Sequence, residues 1–427
     1  MFDALIVGGG AAGFYAAINI AEANPNLDIA ILERGKEVLQ KVRISGGGRC
    51  NVTNAEPDPK ELIKNYPRGE KELLGPFYTY NNRDTIQFFE SRGVPLKTEE
   101  DGRVFPVSDS SQTIIDCLLN EATRLGIKVI RRSMVTNIQP EFSDDHGSIW
   151  NITTIKNHYQ CRKVVLTTGS NPKIWKLIES LGHKIIRPVP SLFTFNIKDA
   201  RILGIQGVST RAKVDVLPKH SYSPEITLKL KSKKAEKNLL SAEGSLLITH
   251  WGLSGPVILK LSAWGAILLN DLKYKFPISI NWLPDYHQGS VFSLLMEIKD
   301  IEARKTVLRT KAVEIPRRLW TNLVRASGIA KDEKWSDVTK DKLQNLADQL
   351  TNGRFMVEGK STFKEEFVTA GGIDLKEINF KTFESKIHEN LFFAGEIINV
   401  DAITGGFNFQ NAWTGGYIVA QAIANNN

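Results

Sequence analysis

The sequence predicts an α/β protein whose parallel sheet begins at the N-terminus and is interrupted by an antiparallel β insert. Three observations predict it. The apolar run Phe2 to Val7 ends in Gly8-Gly9-Gly10 and leads through a small-residue helix, Ala11 to Ala23, to a second apolar run, Leu27 to Leu32. From about Ser191 the texture changes to short alternating stretches. Parallel-strand texture then returns near Glu365 and closes with the strand Leu391 to Ala394 and a helix from about Gln410 to Ala424.

A chain of 427 residues exceeds one compact core and fits several domains. The texture places them at 1–190 (first part of a dinucleotide-binding domain), 191–285 (inserted β domain), 286–355 (helical) and 356–427 (second part of the dinucleotide-binding domain). Apolar residues at 42% and charged residues at 24% describe an ordinary globular protein. The net charge of +8 suits an anionic cofactor, an acidic substrate or RNA, and selects none of them. Three separated cysteines, Cys50, Cys117 and Cys161, exclude a disulfide framework and fit a reducing compartment. The first strand starts at Phe2, which leaves no room for a targeting segment, and the most apolar stretch, Leu253 to Leu269, is broken by Gly255, Pro256 and Lys260. A cytoplasmic protein without a membrane span is expected.

The first βαβ unit carries the strongest signal, Gly8-x-Gly10-x-x-Gly13 between strand and helix. Gly8 permits the tight turn, Gly10 lets a pyrophosphate approach the backbone, and Gly13 lets helix and strand pack closely. The phosphates then face the free N–H groups at the helix start. Glu33, 20 residues after Gly13 at the end of the second strand, is placed to accept from both ribose hydroxyls and disfavours a 2′-phosphate. The dinucleotide is therefore FAD or NAD rather than NADP.

The next segment holds a glycine cluster, Ser45-Gly46-Gly47-Gly48-Arg49-Cys50-Asn51, whose backbone N–H groups can converge on an anion beside Arg49, with Lys41 and Arg43 upstream. Residues 83–93 and 110–126 have helical periodicity, and Lys128 to Ile130 resumes a strand. Val135 follows it, placed to clamp adenine through its backbone. Ile149 to Ile155 and His158 to Lys163 read as an antiparallel pair feeding Val164 to Thr168, and Thr167-Thr168-Gly169-Ser170 ends that strand on the adenosine side.

In the insert, Phe193 to Ile197, Ala212 to Leu217, Ile226 to Leu230, Ser245 to Thr249 and Lys275 to Asn281 read as antiparallel strands. Lys231 to Lys237 reads as a solvated hairpin tip, and residues 290–350 turn helical and charged. No second glycine fingerprint with its carboxylate follows, so no dedicated nicotinamide domain is expected. The last strand ends in Gly395-Glu396, and Gly405-Gly406-Phe407-Asn408-Phe409-Gln410 opens the last helix. In a two-lobed FAD fold a carboxylate there reaches toward the ribityl chain or the pyrophosphate, and a helix N-terminus stabilises the negative charge of reduced flavin, which favours FAD.

The segments VGGGAAG, KVRISGGGRCNVTN, THWGLSGP, FVTAGGIDLKEI, KTFESKI and LFFAGEIINVDAITGGFNFQNAWTGG, in this order, resemble the BaiN-like bacterial flavoproteins, the aminoacetone oxidase family. The resemblance covers nearly the whole chain. It implies a glutathione-reductase-like, two-lobed FAD-binding Rossmann domain with an inserted antiparallel β-barrel-like domain and a helical subdomain. It also implies FAD contacts at Gly8, Gly10, Ala12, Gly13, Glu33, Arg34, Lys41, Ser45, Gly46, Arg49, Asn51, Val135, Thr168, Gly169, Gly395, Glu396, Gly406, Asn408 and Gln410. Where the family often reads Gly-Thr-Gly-Gly, this chain has Thr168-Gly169-Ser170.

The expected activity is FAD-dependent oxidation or reduction of a small metabolite by hydride transfer at flavin N5, with oxygen or a transiently bound NAD(P)H as the exchange partner. Alternatives are an RNA-modifying flavoenzyme, which needs a basic, aromatic surface on the insert, and a flavin-binding protein without turnover. His250, with Trp251, and His183 are candidates for a substrate-side acid–base, although a histidine among apolar strand residues is more often a hydrogen-bonded structural group. Arg317-Arg318 reads as a solvated helix face. The seven histidines show no metal-ligand spacing.

Overall fold

A computed structural model of the chain describes residues 1–143, 147–217, 240–361 and 368–425. The expected strand Ile226 to Leu230 and the basic run Lys231 to Lys237 lie outside the described residues. The chain divides into two compact units, Met1–Pro190 with Lys364–Asn427, and Ser191–Phe363.

In the first unit, five strands form a parallel sheet in the spatial order Lys128–Ile130, Ile29–Leu32, Phe2–Val7, His158–Leu166, Leu391–Phe393. Numbered along the chain this is 3-2-1-4-5, so the direction of winding reverses between Phe2–Val7 and His158–Leu166, and the carboxyl ends of those two strands are where such sheets bind ligands. The central strands are buried on both faces: Ala4, Leu5, Ile6, Ala30, Ile31, Val164, Val165 and Leu166 are all at 0% exposure. Each such Leu, Ile or Val side chain contributes about 1.5–3 kcal/mol through burial.

The opening helix, Ala11–Ala23, is buried along nearly its whole length because it packs against the closing helix, Phe407–Asn425. That contact needs small residues; a methyl at Gly416 would lie 3.0 Å from the Ala12 carbonyl oxygen. The closing helix starts at Phe407, three residues before the expected Gln410. Gln410 N–H already bonds back to Gly406 O at 3.0 Å, which brings that stretch into the first turn.

The antiparallel pair expected around residue 155 is a three-stranded meander, Val135–Ser143, Gly147–Thr154 and His158–Leu166, with Val135 heading its first strand. That first strand is hard to see in sequence because its outward residues, Thr136, Gln139 and Glu141, leave little continuous apolar signal.

Among the described residues of the second unit, seven antiparallel strands follow the path Gly353–Val357, Phe276–Asn281, Ser209–Val216, Leu240–Ile248, Gly252–Ser254, Thr194–Asn196, Gly359–Ser361. The apolar stretch Leu253 to Leu269 supplies a short strand and two helices, Pro256–Trp264 and Ala266–Asp271, separated at Gly265. The helices Gln288–Ile301, Arg317–Ala326 and Lys340–Thr351 share one core with the sheet, through Val291, Leu319 and Leu346 among others. Among the described residues no helix is long and apolar enough to cross a membrane.

Candidate functional site

The carboxyl ends of the parallel strands carry a cradle built from backbone. Gly8 has φ +117°, a region closed to most side chains, and a methyl on it would lie 2.6 Å from the Thr167 carbonyl oxygen. A methyl at Gly13 would lie 2.0 Å from the Gly8 carbonyl oxygen, so turn and helix meet only without one. Gly10 caps the opening helix, and a methyl there would meet nothing within 4 Å. The helix start has no side-chain cap and no acidic residue in its first turn. Its first N–H groups thus keep the partial positive charge that attracts an anion.

From the neighbouring strands, Gly395 comes so close that a methyl on it would lie 3.1 Å from the Ala12 Cβ. Glu396 follows, accepting the Thr369 N–H at 3.0 Å and pairing with the Lys41 ammonium. Gly169 lies beside the same carboxylate, its Cβ position 3.6 Å from Glu396 Oε2. Among the described residues the buried hydroxyl oxygens of Thr168 and Thr369 have no hydrogen-bond partner. Orphaned hydroxyls are costly unless something else completes them, and here they accompany open helix N–H groups. Gly8, Gly10, Ala12, Gly13, Lys41, Thr168, Gly169, Gly395 and Glu396 therefore form one set.

A second set surrounds Glu33. Its carboxylate accepts the Gly9 N–H at 2.9 Å and the Gly35 N–H at 2.7 Å, which locks the turn beside the glycine loop. Ser133 N–H bonds to Glu33 O at 2.8 Å and Arg132 N–H to Gly35 O at 2.9 Å, so Val135 sits two residues from the Glu33 turn. Arg34 is exposed.

A third set joins the glycine cluster to the closing helix. Gly46 and Gly47 are left-handed, and Ser45 donates to Val42 O at 2.9 Å. The Asn51 amide is satisfied when its oxygen accepts the Gly406 N–H at 2.9 Å and its nitrogen donates to Thr53 O at 2.9 Å. Thr53 Oγ1 donates to Gln410 Oε1 at 2.6 Å, and Asn408 bonds both the N–H and the carbonyl of Ala402 at 3.0 and 3.1 Å. The side chains of Gln410 and Asn408 are thus engaged in holding the turn. Just before this turn, Asp401 is fully buried and forms a bidentate ion pair with Arg68.

Thr53, Arg68, Asp401 and Thr369 were not among the residues expected from sequence. The readable signal was a lone acid in the otherwise apolar INVDAITGG; its partner, 333 residues away, carried none. At the end of the glycine cluster the Arg49 guanidinium bonds Glu99 at 2.7 Å and lies 4.0 Å over the Phe105 ring. Cys50 is buried, and burial pushes its thiol up to about 12, which leaves it protonated and unreactive at neutral pH.

The two histidine candidates lie in different units. His183 has a fully buried side chain whose Nδ1 faces Glu377 Oε2 at 2.9 Å and whose Nε2 faces Ser385 Oγ at 3.0 Å. This has the connectivity of a nucleophilic triad. Ser385 Oγ, however, already accepts the Ile387 and His388 N–H groups at 3.0 and 2.9 Å, so the cluster reads as a satisfied fold element. Burial, against the Glu377 hydrogen bond, holds the His183 pKa below the ordinary histidine value. His250 is exposed in the second unit, next to Trp251.

The glycine cradle, the open helix N-terminus and the orphaned hydroxyls fit the pyrophosphate and ribityl portions of a dinucleotide. The profile described as HI0933-like protein Rossmann domain matches residues 2–422. A ribosomal RNA dihydrouridine synthase of Escherichia coli is 28% identical, over 98% of this chain and 97% of its own. Its counterpart in Haemophilus influenzae is 26% identical over 98% of both chains. A 3-dehydro-bile acid delta(4,6)-reductase of Clostridium scindens is also 26% identical over 98% of both.

Proposed function

The chain belongs to the HI0933-like Rossmann family, and from that premise we propose that it reduces a carbon–carbon double bond conjugated to a carbonyl. It is an FAD-dependent oxidoreductase. When bound, FAD supplies the hydride at N5. The backbone at Gly8, Gly10 and Gly13 holds the pyrophosphate, Glu33 and Val135 the adenosine, and Thr168, Gly169, Gly395 and Glu396 the ribityl chain. The Ser45–Asn51 segment and the start of the closing helix would meet the flavin edge, where the positive end of the helix would stabilise the anionic reduced ring; Gly406 and Gln410 act there by shaping the turn, since their own polar groups are engaged within the protein. The unit is two-lobed in this reading. The insert is barrel-like, because the two ends of its strand path, Gly353–Val357 and Gly359–Ser361, are successive pieces of one chain run.

A uracil ring and a dienone share one reducible motif, an alkene polarised by a carbonyl. The β carbon would receive a hydride from the reduced cofactor and the α carbon a proton from solvent, and hydride from a transiently bound NAD(P)H, oxidised to NAD(P)+, would re-reduce the flavin. A small planar enone is the first substrate reading. The observation that carries the cofactor assignment is the Thr168 hydroxyl, buried without a partner among the described residues beside the uncapped helix.

Anaerobic addition of NADH or NADPH to the purified protein should bleach the flavin absorbance, and a panel of enones should restore it. A folded, colourless protein that takes up no FAD refutes the reading. RNA is the second substrate reading, favoured by two full-length relatives named for ribosomal RNA and by the sequence pI near 9.1. Its product is uridine carrying two added hydrogens, read by mass spectrometry of digested RNA.

A further inference from the structure

Two sequence features that the cofactor site leaves unused, His250-Trp251 and Arg317-Arg318, are linked in the second unit through one loop. Trp251 is 62% exposed, although tryptophan is on average a highly buried side chain. Its backbone is pinned. Thr249 N–H donates to Gly252 O at 2.8 Å, Trp251 N–H donates to Thr249 Oγ1 at 3.3 Å, and Ile197 N–H donates to Trp251 O at 3.0 Å. A methyl at Gly252 would lie 2.3 Å from the Phe195 carbonyl oxygen, so the turn is pressed against the neighbouring strand.

The loop that follows Ile197 carries exposed Lys198 and Leu203, the latter 73% exposed, and returns where Gly207 N–H donates to Ile248 O at 2.9 Å. Both ends of the loop thus flank the turn. Arg318 reaches this loop, donating to Gln206 O at 3.0 Å, with Arg317 exposed beside it. Of the nearby carboxylates, Asp199 is paired with Arg201 at 2.6 Å, and Glu358 is exposed.

Resting on the RNA reading of the substrate, we propose that the Thr249–Gly252 turn is a stacking platform for an unpaired base of single-stranded RNA. Lys198, Arg317 and Arg318 hold the adjoining phosphates. An exposed indole on a fixed backbone offers a flat face at little entropic cost, and every base has a π-face to stack on it. The flanking cations match a polyanion, and guanidinium groups suit phosphate geometry.

The test is fluorescence anisotropy of a short, uridine-rich, fluorescein-labelled single-stranded RNA against the full-length protein at several salt concentrations. Trp251→Ala should weaken binding about tenfold and leave the salt slope unchanged, with Trp251→Phe retaining most of the affinity. The double variant R317A/R318A should lower the salt slope by about one for each phosphate left without its guanidinium. Unchanged thermal melts establish that the variants fold. RNA affinity indifferent to Trp251 and to both arginines overturns the platform. So does sedimentation showing that W251A removes a self-association, which would make the patch an interface between copies. If the wild-type protein binds no RNA while its flavin still turns over a small enone, the platform and the RNA reading fall together and the oxidoreductase assignment stands.

Discussion

The strand-end cradle and the His183 cluster lie in the same unit and are built from similar polar atoms, yet they differ in completeness. Around His183, the imidazole, Ser385, Glu377 and the amides of Lys184, Ile387 and His388 close on one another. At the strand ends, the Thr168 and Thr369 hydroxyls are buried without partners among the described residues, and the opening helix is uncapped. An unmatched buried hydroxyl costs about 1–3 kcal/mol. A group bound at the strand ends would offset that cost, so an orphaned hydroxyl beside an uncapped helix is a stronger pointer to a ligand than a fully bonded histidine is.

The largest effect that could break this contrast is at the cradle. Gly13→Val puts a side chain into the Gly8 carbonyl oxygen, and the purified variant should carry no FAD by absorbance; retention of wild-type flavin content would refute the cradle. Next in size is the other pole. His183→Ala strips Glu377 and Ser385 of a buried partner and should lower unfolding free energy by about 1–3 kcal/mol in urea titrations while FAD content stays normal. Thr168→Val should do the reverse. It removes a hydroxyl that has no partner among the described residues, so the apoprotein should melt at or slightly above the wild-type temperature. FAD affinity, by fluorescence titration, should fall about fivefold, the worth of about one neutral hydrogen bond.

Much of the cradle was legible because its requirements are local. Gly8, Gly10, Gly13 and Glu33 lie within one βαβ unit, where spacing alone implies geometry. The insert was legible as alternation, and its helices as charge and periodicity. What escaped was long-range. Arg68 and Asp401 are 333 residues apart, and nothing local in either stretch names the other. The engagement of Arg49 with Glu99 and Phe105 likewise depends on an antiparallel strand pair, Thr53–Asn54 with Arg103–Pro106, too short to give a pattern. The triad-like connectivity of Ser385, His183 and Glu377 was invisible for the same reason, and burial, which decides its meaning, is a property of the folded chain.

The smallest expected effect concerns how His183 is charged. Its folded pKa lies below the ordinary value of 6.5, with burial the leading cause and Glu377 opposing it. Between the folded and unfolded values the unfolded chain binds the extra proton, so stability rises with pH there and is lost as pH falls below about 6.5. One proton limits the slope to about 1.4 kcal/mol per pH unit. Urea titrations between pH 5 and 8 should therefore show a decline toward acid that is shallower in His183→Gln than in the wild-type protein, the difference isolating this imidazole from the other six. The sign carries the information. A wild-type protein that gains stability toward acid relative to the variant would mean that Glu377 outweighs burial and that the cluster is an ion pair. A neutral His183 instead has one self-consistent arrangement, Nδ1–H donating to Glu377 and Nε2 accepting from Ser385; this is the protonation of a resting triad, and what sets the cluster apart from the unfinished polar edge of the sheet is that its imidazole is fully buried and its polar atoms are all partnered.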